Sequence, residues 1–331
     1  MLKKTKILII SAVLLVLFCS SLCLFGCEKK QDSNTIKLIE VTHSVFYAPL
    51  YVAMENGYFE EEGLDISLTN GGGADNCMTA LLTNTADIGL MGPEAAIYVL
   101  KEGKVNYPKI FAQLTKKDGS FLMSRKIESA FKWTDLENKE IIGGRKGGVP
   151  ALTVEYCLSK NGLINGKNVT INYSIEYDLI GSAFTSGTGD YCTMFEPAAT
   201  NMEKANQGYI VASVGEEAGE YPYTAFMALS DYMKNNSSKI YAFTRAIVKG
   251  MDFVQQNDSN TIAQSIISQF DGTTIEVLTS AIESYKKIDA YCSTPRMKEE
   301  DFDKLQDRII EGKILSEKVS FDQLVDNSYI G

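Results

Sequence analysis

Residues able to do covalent chemistry are few in this chain, and they are scattered. His43 is the only histidine. A hydrolytic triad therefore has a single possible base, and no G-x-S-x-G turn presents a nucleophile to it. Beyond residue 27 the cysteines are Cys77, Cys157, Cys192 and Cys292, widely spaced and never in a C-x-x-C pair. Zinc sites need several Cys and His ligands at tight spacing, so no metal centre is expected, and the four read as single buried thiols. No G-x-x-x-x-G-K-[ST] loop is present to cradle a nucleotide. No catalytic residue and no cofactor is assigned. What remains suits the holding of a small molecule: carboxylates at Glu94, Asp118, Glu176 and Glu196, cations at Arg145 and Lys146, and many tyrosines.

The elements that must position these residues alternate. Strands are predicted at Ile36–Thr42, Leu64–Thr69, Asp87–Leu90 and Ile110–Thr115, from β-branched content and bounding turn residues. Helices are expected between them: Phe46–Asn56, a helix capped by Asp75 and running through Leu82, and one opened by Gly92-Pro93-Glu94. A second series is expected to begin near residue 125. Its strands are Glu140–Gly143, Val169–Ile175, Tyr191–Phe195 and Tyr209–Val214, with helices ending at Lys160, at Ile180–Thr185 and after Pro197. From Tyr223 the chain reads as one extended segment, Ala225–Leu229, followed by helices at 238–256, 259–269, 274–290 and 298–311. Strands alternating with helices indicate α/β architecture with mainly parallel sheets. In such sheets ligands bind at the carboxyl ends of the strands. Those ends carry His43, Gly72, Gly92, Glu94, Thr115, Arg145, Gly147, Gly148, Tyr177, Phe195 and Glu196, and Tyr47 follows the first of them.

The N-terminus states where the protein works. Lys3, Lys4 and Lys6 precede an apolar run from Ile7 to Phe18, too short to span a bilayer, and then Leu24-Phe-Gly-Cys27 leads into a polar stretch. This resembles the lipobox of bacterial lipoproteins. The resemblance implies a signal peptide at 1–26, a lipidated Cys27, a polar tether at 27–35 and a body held on the outer face of the cell membrane by its lipid. The net charge is −10. Removal of 1–26, with three lysines and no acid, takes it to −13. Nucleic acid, whose binding rests on neutralised phosphates, is not an expected partner.

A longer run, Tyr47-Ala-Pro-Leu-Tyr-Val-Ala-Met-Glu-Asn-Gly-Tyr-Phe-Glu-Glu-Glu-Gly-Leu-Asp65, resembles the opening of the solute-binding proteins for alkanesulfonates, nitrate, taurine and thiamine-precursor pyrimidines. Thr79-Ala-Leu81, Ala86-Asp-Ile-Gly89, Phe195-Glu-Pro197 and Phe321–Asn327 continue the likeness. It implies the two-lobe periplasmic-binding-protein type II fold. Lobe one would be 36–119 together with 223–331, whose helical tail packs on it, and lobe two 120–222. A monomer would capture a small molecule between lobes and deliver it to an ABC permease and its ATPase. An enzyme on the same scaffold, the pyrimidine synthase with its CCCFC segment, is the competing class; that segment is absent here. An extracellular sensor is a third.

Several site residues have two readings. His43 either meets the ligand or bonds its own turn. Gly72 lies in a Gly71–Gly73 run that serves a turn or a cradle. Glu196 caps the helix after Pro197 or contacts ligand. Tyr177 and Phe195 belong to the core or to a stacking wall. The loop Arg145-Lys-Gly-Gly-Val-Pro150 offers charge but no hydroxyl. With four acids and several tyrosines near the loop mouths, this mixture suits a neutral or amine-bearing heterocycle better than a sulfonate, nitrate or taurine. For the anchor, Cys27→Ala is expected to abolish incorporation of labelled fatty acid while leaving the body folded; equal label in both proteins would refute the assignment.

Overall fold

The computed structural model describes residues 34–331. Residues 1–26, Cys27 and the tether up to residue 33 lie outside the described residues. Ten strands are present among the described residues. β1 (Thr35–Glu40), β2 (Asp65–Asn70), β3 (Ile88–Met91) and β4 (Pro108–Thr115) come first. β5 (Ser120–Ser124), β6 (Glu140–Ile142), β7 (Thr170–Asn172), β8 (Tyr191–Phe195), β9 (Tyr209–Ser213) and β10 (Thr224–Leu229) follow. They form two sheets, in the orders β2-β1-β3-β10-β4 and β7-β6-β8-β5-β9.

Each sheet contains one reversed strand. β1 is parallel to β3, but β10 runs against both β3 and β4. β6 is parallel to β7 and β8, but β5 runs against both β8 and β9. The reversed strands are the two that receive the chain from the other sheet. Residues 116–119 carry it from β4 to β5, and the segment after β9 carries it back to β10. Register fixes the consequence. Ser120 pairs with Phe195 and Phe121 with Ser213, the last residues of β8 and β9. Thr224 pairs with Thr115 and Ala225 with Met91, the last residues of β4 and β3. The carboxyl ends of the other strands in both sheets therefore gather at the crossings. There Thr115 Oγ1 and Thr224 Oγ1 are 2.6 Å apart, joining the outgoing and returning segments.

Burial explains which strands sit inside. β3 and β10 are buried along their whole length, as a continuous apolar run covered on both faces should be. Edge strand β2 is largely exposed. β5 is the strand that the sequence does not announce. Ser120-Phe-Leu-Met-Ser124 follows the Asp118-Gly119 turn pair as only five residues, and its identity comes from partners on both sides.

The longer helices, in order, are α1 (Ala48–Glu55), α2 (Ala74–Leu82), α3 (Glu94–Lys101), α4 (Val149–Lys160), α5 (Ala198–Lys204), α6 (Ser237–Gln256), α7 (Ser259–Ile266), α8 (Ile275–Lys287) and α9 (Glu299–Glu311). Pro49 sits in the first turn of α1, where its missing N–H costs nothing. The N-cap of α2 is Gly73, not the expected Asp75, which lies in the first turn. The tail returns to the first sheet, where Val325 bridges Ile110 beside β4. Cys77, Cys157, Cys192 and Cys292 are free and buried. Burial pushes the Cys77 and Cys192 thiols up to about 12, so neither supplies a thiolate.

Helix α6 approaches α1 so closely that a Cβ on Gly250 would lie 2.1 Å from the Pro49 carbonyl oxygen. A backbone oxygen cannot move aside as a side chain can. Gly250→Ala is expected to cost ~1–3 kcal/mol as an overpacked contact and to lower the melting temperature by several degrees in calorimetry. An unchanged melting temperature would show that the two helices have room to part.

Candidate ligand-binding cleft

A cavity of about 280 Å³ lies where the carboxyl ends of the two sheets meet. Loops of the first sheet supply Thr42, Gly72 to Asn76, Gly92 and Glu94, with Tyr47 from the turn before α1. Loops of the second supply Gly144, Arg145, Gly148 to Pro150, Tyr173, Ile175 to Tyr177, and Phe195 at the end of β8. Tyr223 and Thr224, at the returning crossing, form the floor between them.

Glu94 dominates the electrostatics. It is the first residue of α3 and only 1% exposed. Gly92 makes room for it, since a Cβ there would lie 2.0 Å from Glu94 Oε2. Val149, at the start of α4 in the opposite half, donates its backbone N–H to Glu94 Oε1 at 3.3 Å. Oε2 has no hydrogen-bond partner. Burial raises the carboxyl's pKa to about 7, against the pull of the Arg145 charge and the backbone N–H groups at the helix ends. Arg145 itself turns to Asp75, with Nη1 3.1 Å from Oδ1, and both side chains are exposed.

The remaining wall is aromatic. Phe195 and Tyr177 have centroids 6.0 Å apart, and Phe195 and Tyr223 6.2 Å apart. Phe46 packs behind both Phe195 and Tyr223, at 5.4 and 5.5 Å. Tyr47 is almost wholly buried, and burial holds its hydroxyl protonated. Helices α2 and α4 begin at Gly73 and Gly148; no side chain caps the start of α2, whereas in α4 Val149 N is taken by Glu94 and Pro150 has no N–H.

Of the expected site residues, the structure brings Tyr47, Gly72, Gly92, Glu94, Arg145, Gly148, Tyr177 and Phe195 to this wall. Four others sit elsewhere. His43 lies with Nδ1 2.7 Å from Glu40 Oε1 and Nε2 2.7 Å from the Gln269 carbonyl. A carbonyl only accepts, so Nε2 carries hydrogen, and the imidazole pins the end of β1 to the tail. The Glu40 hydrogen bond raises the His43 pKa, and burial raises that of Glu40. Thr115 is buried in the crossing. The Gly147 carbonyl accepts from Tyr98 Oη at 2.8 Å beside the cleft. Glu196 is a helix cap: Oε2 accepts from Thr200 N and Oε1 from Thr200 Oγ1, both at 2.9 Å.

Tyr173 and Ile175 reach the wall although the sequence places them in a strand. β7 stops at Asn172 because its Oδ1 accepts from Ser174 N at 3.0 Å and from Ser174 Oγ at 2.7 Å. That Asx turn bends 173–177 over the cavity. The Asn-x-Ser spacing was the available signal. Asp75 and Asn76 reach the wall by lying in the first turn of α2.

Residues 45–260 match the family model described as NMT1/THI5 like. The chain is also 41% identical over 303 residues to YtlA of Bacillus subtilis, a provisionally named binding protein, covering 92% of this chain and 91% of that one. The chain belongs to the NMT1/THI5-like family. Its fold is similar to that of the alkanesulfonate-binding protein SsuA of Xanthomonas axonopodis pv. citri bound to MOPS, with a TM-score of 0.72 at 14% identity, over 89% of this chain and 99% of that one. The ligand-binding component of an ABC-type import system from Staphylococcus aureus, with zinc bound, matches at TM-score 0.72 and 13% identity, over 90% and 98% of the chains. This NMT1/THI5-like protein thus has the periplasmic-binding-protein fold. Among its described residues no group of three or more His, Cys, Asp and Glu is placed to hold a metal ion, and no helix is long and apolar enough to cross a membrane.

The raised Glu94 pKa makes a pH prediction. The unfolded carboxyl releases its proton near pH 4.5 and the buried one near 7. Between these values the folded protein holds more protons, so its stability falls as pH rises, by up to ~3 kcal/mol at 1.36 kcal/mol per unit. Glu94→Gln is expected to remove that part of the decline when denaturant unfolding is followed from pH 4.5 to 8. Identical slopes in both proteins would show that Glu94 stays ionised throughout.

Proposed function

We propose that this protein is an extracytoplasmic solute-binding protein that captures one neutral or amine-bearing heterocycle between its lobes. It then presents the molecule, as a monomer tethered through lipidated Cys27, to an ABC permease driven by an ATPase. The observation that carries the ligand reading is Glu94 Oε2, buried in the cavity wall without a partner. A buried acceptor left unpaired costs ~1–3 kcal/mol, more when charged. A ligand N–H placed there removes that cost. Tyr177, Phe195 and Tyr223 offer ring faces to a flat molecule, as an aminopyrimidine would need.

An anionic ligand is the second reading, favoured by the uncapped start of α2. An ionised Glu94 opposes it. Two like charges ~4 Å apart at an effective dielectric near 20 repel by ~4 kcal/mol. The geometry supports the first reading for that reason.

Calorimetry with 4-aminopyrimidine, an alkanesulfonate and nitrate tests the choice. The aminopyrimidine is expected to bind, to shrink the radius seen in solution scattering, and to lose ~10-fold or more in affinity in Glu94→Gln. Tight sulfonate or nitrate binding, strengthened by Glu94→Gln, would overturn the ligand class while keeping the binding-protein assignment.

A further inference from the structure

A second cavity, of about 330 Å³, lies outside the cleft between α4 and the end of α9. Lys146, Glu155 and Tyr156 line one side, and Arg308 and Lys313 the other. Arg308 is unusual for a cation, being only 8% exposed. Its guanidinium carbon stands 3.6 Å from the Tyr221 ring centroid and 4.3 Å from that of Tyr156. Aromatic rings thus cover the ion but supply no hydrogen-bond acceptor in its plane. Nη2 donates to the Ala218 carbonyl at 2.7 Å. Nη1 is buried and has no partner. A guanidinium does not lose its charge at working pH, so this edge lacks an acceptor and has no means of neutralising itself.

We propose that this cavity is a second binding site, for a small oxyanion such as a carboxylate or phosphate that bonds the buried, unpartnered Nη1 edge of Arg308. The surroundings fit that chemistry. Lys146 and Lys313 are exposed at the rim and attract an anion. Of the two carboxylates there, Glu155 accepts a hydrogen bond from the Tyr173 hydroxyl, and Glu311 faces solvent. The cavity's walls also come from different halves of the molecule. α4 follows a strand of the second sheet, whereas the chain beyond α9 is fastened to the first sheet at Val325. An anion in this cavity favours the arrangement in which α4 and α9 meet. By linkage it then strengthens capture in the cleft, and the cleft ligand strengthens anion binding by the same factor.

The test uses the purified full chain, with inorganic phosphate and citrate as probes at constant ionic strength. Calorimetry and melting curves are expected to show saturable binding of at least one anion to the wild type. Affinity should fall at least fivefold in Lys146→Ala/Lys313→Ala, whose side chains are exposed, and disappear in Arg308→Lys. Should Arg308→Lys fail to fold, the lysine pair decides alone. The absence of saturable binding, or an undiminished affinity in the lysine pair, would each overturn the proposal.

Discussion

Four residues, 116–119, are all that separate β4 from β5. Fully extended they reach at most ~14 Å, so β5 has to begin where β4 ends. That constraint reverses β5 in its sheet. The same holds for β10, which starts beside Thr115 and Met91 when the chain returns. Once both crossing strands are reversed, the carboxyl ends of their neighbours can only face the junction, and every loop that lines the cleft, apart from the returning crossing with Tyr223 and Thr224, springs from such an end. The junction itself is packed. A Cβ on Gly215 would lie 2.2 Å from the Asp118 carbonyl, and Asp118 is fully buried, with Oδ1 accepting from Ser120 N and Oγ.

Several contacts tie the halves together around the cavity, and their magnitudes differ. Arg145 and Asp75 form an exposed ion pair, of a kind worth ~0–1 kcal/mol. Tyr98 donates one hydrogen bond to Gly147, with a net worth of ~1 kcal/mol. Glu94 acts in the other direction. Bringing α3 and α4 together buries its carboxyl, and with one oxygen unpaired that burial costs more than either latch returns. The latches therefore position the halves without deciding whether they stay closed. On the proposed function, that decision would rest on what meets Glu94 Oε2.

Much of this was legible in the sequence. Strand-to-loop boundaries depend on local signals, so the ends of β1, β3, β6 and β8, and the residues just past them, were readable. β8 and the short helix Ile180–Thr185 have the bounds the sequence predicts. β5 was not readable, because the five residues between Gly119 and Arg125 become a strand only through long-range pairing. Side-chain direction was the other gap. Glu94 and Glu196 look alike in sequence, each at a strand end beside a proline. Glu196 folds forward onto Thr200, four residues along, and is satisfied by its own helix. Glu94 reaches across to Val149, a partner 55 residues away, and keeps one oxygen unpaired. His43 shows the same limit: its partner Gln269 is 226 residues distant.

The Glu94–Val149 contact also alters what the scaffold offers an anion. Uncapped helix starts attract negative charge because their first N–H groups lack acceptors. In this chain the start of α4 already has an acceptor, the chain's own carboxylate, delivered from the opposite half of the molecule. An arriving anion would have to compete with Glu94 for Val149 N while tolerating its charge. A ligand N–H faces no such contest. On the proposed reading it would meet the unpaired oxygen and leave the Val149 bond in place, so that one carboxyl would join ligand, α3 and α4. A chain with an apolar residue at position 94 would leave the α4 start open, and the same fold would then favour the opposite charge.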